Sequence, residues 1–194
     1  MKQRLCIGVL DLNQAWSLVL NQLGVWFEEI DFQRDLSSSY SLLLVNNYAD
    51  AQQKISLQKY LEAGGAVLEI GTSANFVAKN KVYSSSVRTL FNYSDHEAFS
   101  HITHVDLYHS VAFHRGSNLF DGLVHFEFYE DGFLGFFGAD IPALIKDTGF
   151  KRKRFLGVDD NNPDEIVSRV SKHELLQVFS ATLKELHIQR SVPF

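Results

Sequence analysis

The sequence predicts an α/β domain on a mostly parallel sheet, extended by a β-hairpin and a C-terminal helix. Three observations carry this expectation. Short apolar runs alternate with helix-patterned segments through the first half, which is the signature of βαβ units. Glycines stand where those helices should stop, at Gly24 and at Gly64-Gly65. Residues 124–130 and 133–137, both β-rich, flank Asp131-Gly132, a dipeptide suited to a two-residue hairpin turn because its central positions tolerate positive φ.

Residues 5–10, Leu-Cys-Ile-Gly-Val-Leu, read as a buried first strand. Asn13 can cap a helix to about residue 23, since its short side chain accepts the first free amides, and Trp16, Val19, Leu20 and Leu23 recur at helical spacing on one face. Residues 26–30 form a second strand, the serines 37–39 a polar linker, and residues 40–45 a strand ending at Asn46-Asn47. Asp50 opens a helix to residue 63 with Ile55, Leu57, Tyr60 and Leu61 apolar. Residues 66–70 are the next strand, and Gly71-Thr72-Ser73-Ala74 turns directly into another short helix. Between residues 80 and 118 periodicity fades, which predicts an irregular insertion or edge strands. Residues 140–147 should form a short helix, started by Asp140 with Pro142 in its first turn.

Beyond it lie the basic run 151–154, a linker rich in Asp and Asn over 158–163, and a turn of helix through 170. Ser171 and Glu174 then have capping-box spacing ahead of Leu175, Leu176, Val178, Phe179, Leu183 and Leu186, an amphipathic helix whose apolar face must be covered. The expected organisation is an α/β domain over 1–150, followed by a linker and amphipathic connector helix over 151–194.

The 194 residues suffice for one full domain, and 45% hydrophobic with 21% charged residues supports a sizeable core. Apolar runs last only a few residues against the roughly 20 of a bilayer crossing, and the first ten residues do not form a secretory signal. The chain therefore reads as cytoplasmic, without a membrane partner. A net charge of −5 argues against nucleic acid as a partner. The balance is uneven: residues 151–194 hold eight basic and six acidic residues, net +2, against 10 basic and 17 acidic before them, net −7. A single cysteine, Cys6, excludes an internal disulfide and cysteine-rich zinc sites.

The stretch Tyr-Ser-Leu-Leu-Leu-Val-Asn-Asn-Tyr from Tyr40, followed by Leu-Gln-Lys-Tyr-Leu-Glu-Ala-Gly-Gly-Ala-Val-Leu-Glu-Ile-Gly from Leu57, resembles the class I glutamine amidotransferase-like fold over residues 1–150. The resemblance implies a flavodoxin-like three-layer sandwich in which the strand 66–70 ends at a sharp nucleophile elbow. Working members hold a cysteine between glycines there, at a helix N-terminus that stabilises the thiolate. This chain has Gly71-Thr72-Ser73-Ala74 instead, with no thiol. Thr72 or Ser73 could replace it only with a histidine and an acid in support. The run from Gly132 to Ile145, the basic run to Phe155 and the final helix resemble the N-terminal accessory region of bacterial polysaccharide deacetylase-like proteins. There an amidotransferase-like domain precedes a metal-dependent carbohydrate esterase barrel, so the resemblance implies a C-terminal carbohydrate-esterase domain as partner.

His96, His101, His104, His109 and His114, with Asp95, Glu97 and Asp106 nearby, suggest a zinc site, but no four-ligand or three-ligand spacing stands out and partly exposed histidines in a loop-rich insertion are the simpler reading. Phe126 and Phe128 share one face of their strand and read as core filling. In an open α/β sheet, ligands bind beyond the carboxyl ends of the strands. That selects Asn46, Asn47, Glu69, Gly71, Thr72 and Ser73 as pocket candidates, with the amides of a helix starting at Thr72 suited to a small anionic or polyhydroxylated ligand. No metal and no cofactor is expected. The leading functional expectation is a non-catalytic accessory or binding domain of a larger deacetylase-like protein. The alternatives are a hydrolase using Ser73 or Thr72, and a scaffold that pairs with another copy of itself through an exposed helix over 172–187.

Overall fold

The computed structural model describes residues 6–72, 75–77, 79–148 and 173–191. Strands β1 (Cys6–Leu10), β2 (Trp26–Glu29), β3 (Leu42–Val45) and β4 (Ala66–Ile70) are connected by α1 (Gln14–Gln22), α2 (Leu36–Ser39) and α3 (Ala51–Glu62). After β4 the chain forms two long strands, β5 (Val82–Phe91) and β6 (His104–His114), then β7 (Val124–Tyr129), β8 (Gly132–Phe137), α4 (Ile141–Thr148) and α5 (His173–Ser191). The main sheet has six strands in the order β2-β1-β3-β4-β8-β7; all neighbours are parallel except β7, which pairs antiparallel with β8 at one edge. A mixed α/β fold with a mostly parallel sheet is what the alternating pattern predicted.

Alternation along the strands divides the core in two. Ile7, Val9, Leu42, Leu44, Leu68 and Phe137 face α1, α4 and α5, whereas Leu43, Val45, Val67, Leu134 and Phe136 face α2 and α3. Asn13 caps α1 as its spacing predicted, accepting from the Ala15 and Trp16 amides at 3.0 and 3.1 Å. Asp50 and Gln53 cap each other reciprocally at the start of α3.

Three expectations are corrected and one alternative is settled. The serines 37–39 belong to a helical turn rather than a linker, because Asp35 caps it through the Ser37 amide and Leu36 anchors it in the core. The strand expected from Tyr40 begins at Leu42. Tyr40 is a buried tie whose hydroxyl accepts from the Asp31 amide at 3.0 Å. Of the two readings of residues 80–118, an irregular insertion or edge strands, the structure has the second over 82–91 and 104–114, which form a two-stranded antiparallel sheet. Finally, the hairpin turn is Glu130-Asp131, not Asp131-Gly132. Glu130 takes the positive φ of 52°, while Gly132 opens β8 opposite Tyr129, where a Cβ would strike the Leu61 carbonyl. The glycine is there for close approach to α3, not for turn conformation.

The final helix, expected as a connector, lies against β8, β4 and β6 of the same chain. Leu175, Val178, Phe179, Leu183 and Leu186 are buried in the same core as the sheet, with Phe179 beside Trp16 and Phe137. Its apolar face is thus covered by its own sheet rather than exposed for a second copy. The basic run 151–154, the linker 158–163, the turn of helix through 170 and Ser171 lie outside the described residues.

Candidate functional site

The carboxyl ends of β1, β3, β4 and β8 converge, and the residues that follow them are tied together. Gly71, immediately after β4, has φ of 65° and donates its amide to the Phe137 carbonyl at 2.8 Å. Asn46 bridges two elements: with its amide oriented to satisfy both neighbours, it donates to the Leu10 carbonyl and accepts from the Trp16 indole. Asn47 donates to Asp11 at 2.8 Å and accepts from the Tyr48 amide. Tyr48 in turn donates its hydroxyl to the Thr72 carbonyl at 3.1 Å, and Asn75 links Ala49 to Asn47.

Glu69 is the centre of this network. Its carboxylate is buried at 1% exposure and accepts from the amides of Asn75 (2.6 Å), Phe76 (3.0 Å) and Val77 (2.9 Å). Burial pushes its pKa up, and the three amide donors, which favour the ionised form, oppose that rise without cancelling it. The short helix expected to start at Thr72 is absent among the described residues, which form a turn at 71–72 and bends at 75–77 before a single 3₁₀ turn over Lys79–Lys81. The amides that gather after β4 belong to residues 75–77. The group they receive is the protein's own Glu69 carboxyl.

The sequence-derived pocket residues Asn46, Asn47, Glu69, Gly71 and Thr72 are therefore neighbours, but they are bonded to one another and to the backbone. Ser73 lies outside the described residues. In a nucleophile elbow the strained turn carries the reacting side chain; among the described residues of this turn the positive φ belongs to a glycine, Gly71.

No protein-family model matches the chain, and no curated protein does. Solved structures are similar. One is a cytoplasmic protein from Salmonella typhimurium, at 13% identity and a TM-score of 0.50 over 71% of this chain and 88% of that one. Another is a β-galactosidase from Bacillus circulans, at 9% identity and 0.49 over 76% of this chain and 31% of that one. A ThuA-like protein from Parabacteroides merdae follows at 16% identity and 0.42, over 69% and 77%. The chain spans about a third of the length of the β-galactosidase it matches. These likenesses are of fold alone.

A second polar cluster, missed by sequence spacing, lies where β6 ends and β7 begins. His114 and His125 stack with ring centroids 3.7 Å apart and planes 12° from parallel. His114 is 1% exposed and accepts from the Gly116 amide through Nδ1, leaving Nε2 buried without a hydrogen-bond partner. His125 Nε2 lies 3.5 Å from Glu127, which also faces Lys81 at 3.9 Å. Burial first, then the adjacent His125, lower the His114 pKa to about 4, with Lys81 adding to the effect and Glu127 opposing it. Burial also lowers His125, against the hydrogen bond and charge of Glu127. The expectation of partly exposed loop histidines is corrected for His114, a core residue on a strand. Among the described residues no group of three or more His, Cys, Asp or Glu could hold a metal. Phe126 packs against the core as expected, but Phe128 is 64% exposed at the sheet edge.

Acid should weaken the fold through this pair. Above about pH 6.5, His114 is neutral both folded and unfolded. Between there and about 4 the unfolded chain binds a proton that the folded chain refuses, so unfolding free energy falls as pH falls. The loss expected from His114 is about 2–3 kcal/mol by pH 4, read from urea unfolding across that range. A His114→Gln variant that retained the full pH slope would remove His114 as the cause.

No helix among the described residues is long and apolar enough to cross a membrane.

Proposed function

We propose that this chain is a non-catalytic, amidotransferase-like α/β domain that serves as a binding or docking module of a larger carbohydrate-active, deacetylase-like protein. The strand order β2-β1-β3-β4-β8 with helices on both faces supports the flavodoxin-like part of the reading, since a doubly wound sheet begins in that order. The resemblance of residues 132–145 supplies the carbohydrate context. The observations that carry the non-catalytic part are at the crest of β4: Gly71 takes a positive φ without a side chain, and Glu69, the buried acid there, is held by three backbone amides. A nucleophile needs a base within hydrogen-bond reach, and Glu69 is committed elsewhere.

A fluorophosphonate probe should leave folded protein unlabelled, read by intact mass. Stoichiometric labelling that mapped to Thr72 or Ser73 would overturn the reading in favour of a hydroxyl-nucleophile hydrolase.

A further inference from the structure

An open cleft of about 590 Å³ lies beside the imidazole pair, well away from the network around Glu69. It is lined by residues 94–96, residues 116–119, His125 and Phe126. Its volume falls within the roughly 300–1,000 Å³ usual for small-molecule sites.

We infer that this cleft is a binding site for a neutral, polyhydroxylated small molecule of about disaccharide size. The inference rests on the binding-module reading above and places the ligand in a different part of the fold from the one the sequence singled out. The hydrogen-bonding groups left over in the cleft select the class. Among the described residues the side chains of Asp95 and Asn118 have no hydrogen-bond or ion-pair partner, so each presents a planar group that can engage adjacent hydroxyls. His96 accepts from the Ala98 amide through Nδ1, which leaves Nε2–H as a donor. Neutral His125 directs Nε2–H to Glu127 and keeps Nδ1 as an acceptor. Ser117 is already satisfied by Val124 and Leu119. Donors and acceptors are therefore mixed, and a hydroxyl is both at once. No Lys or Arg lines the cleft, so an anion would meet the Asp95 carboxylate without compensation, and a cation would find Asp95 alone. Phe126 and Leu119 add apolar surface for the C–H face of a sugar-like ring.

A second, independent observation points to the same place. The segment following Asn118 holds Phe120 (φ 47°) and Asp121 (φ 54°), two consecutive non-glycine residues in the left-handed region, before Gly122 at φ 97°. Such strain persists only where the surroundings enforce it, and it concentrates at ligand sites. Here Phe120 is clamped edge-on against Phe99, with centroids 5.8 Å apart. That clamp presets the cleft wall before a ligand arrives.

The test is an amide-resolved NMR titration of the full chain with maltose, cellobiose, lactose and sorbitol, and with inorganic phosphate as an anionic control. At least one neutral polyol should give saturable shifts at Asp95, Asn118 and His125, and phosphate none there. Asp95→Ala combined with Asn118→Ala should weaken that binding by about tenfold or more while the remaining amide spectrum stays native. Absence of saturable binding by all four polyols overturns the inference, as do phosphate shifts centred on the cleft. Polyol shifts centred instead on Asn46, Asn47 and Thr72 overturn the cleft and leave the binding-module reading standing. Conversion of the bound sugar to products, seen in the same spectra, overturns the non-catalytic reading and leaves the cleft in place.

Discussion

Gly138→Ala should lower the melting temperature by about 6–12 °C, corresponding to about 3 kcal/mol at roughly 2–4 °C per kcal/mol for a chain of this size. Gly138 follows β8, donates its amide to the Leu123 carbonyl at 2.7 Å and accepts from the Ala112 amide at 2.9 Å. A Cβ there would overlap the Ala112 carbonyl, which belongs to β6. Since the Ala112–Gly138 hydrogen bond holds the two backbones at that distance, the added methyl can be accommodated only by separating the small sheet from the main one. Overpacking against backbone is costlier than against a flexible side chain. Gly24→Ala is the matched control. Unlike Gly138, Gly24 has a positive φ, 67°, and no atom within 4 Å of the added Cβ, so only the conformational cost of about 1 kcal/mol applies. Calorimetry of both variants separates strain from collision; equal shifts would mean that β6 yields freely at Ala112.

Glu69→Gln should cost about 2–4 kcal/mol although it preserves size and shape, because hydrogen bonds to a buried charged group and a polar group left unpaired each contribute on the order of 1–3 kcal/mol. Two amides converge on one carboxylate oxygen and a third on the other. Glutamine offers a single acceptor, and its NH₂ must face an amide donor. Urea unfolding gives the stability change, and hydrogen exchange at Asn75, Phe76 and Val77 should accelerate beyond the global effect. Unchanged exchange at these three positions would show that the loop is held by other bonds.

The parallel sheet was legible because β1, β3 and β4 are short, largely apolar runs beside helix signals, and the caps Asn13 and Asp50 carried their own local chemistry. The second sheet was hidden for a physical reason. Ser84, Ser85 and Ser86 are exposed on β5, so that stretch shows neither alternation nor a buried run. At the candidate site, the polar residues after β3 and β4 were visible in the sequence and their partners were not. Glu69 in an apolar strand looked like a ligand-facing acid, but which amides reach it depends on how residues 75–77 fold back. The stacked pair His114 and His125 comes from two different strands separated by a strained loop, and linear spacing carries no trace of it. The free Asp95 and Asn118 are likewise brought together only by the tertiary path.

The position of β8 also shapes how the molecule assembles. Ala66 pairs with Phe133, 67 positions further along the chain, so β4 cannot complete its second ladder until the insertion and the β7–β8 hairpin are in place. The two antiparallel pairs close short loops and can nucleate locally, whereas the β4–β8 ladder bears the loop-closure entropy of the whole insertion. Until then β4, apolar apart from Glu69, is an open sheet edge, the kind of surface that recruits strands from other chains. Its place in the interior of the finished sheet closes that route to aggregation.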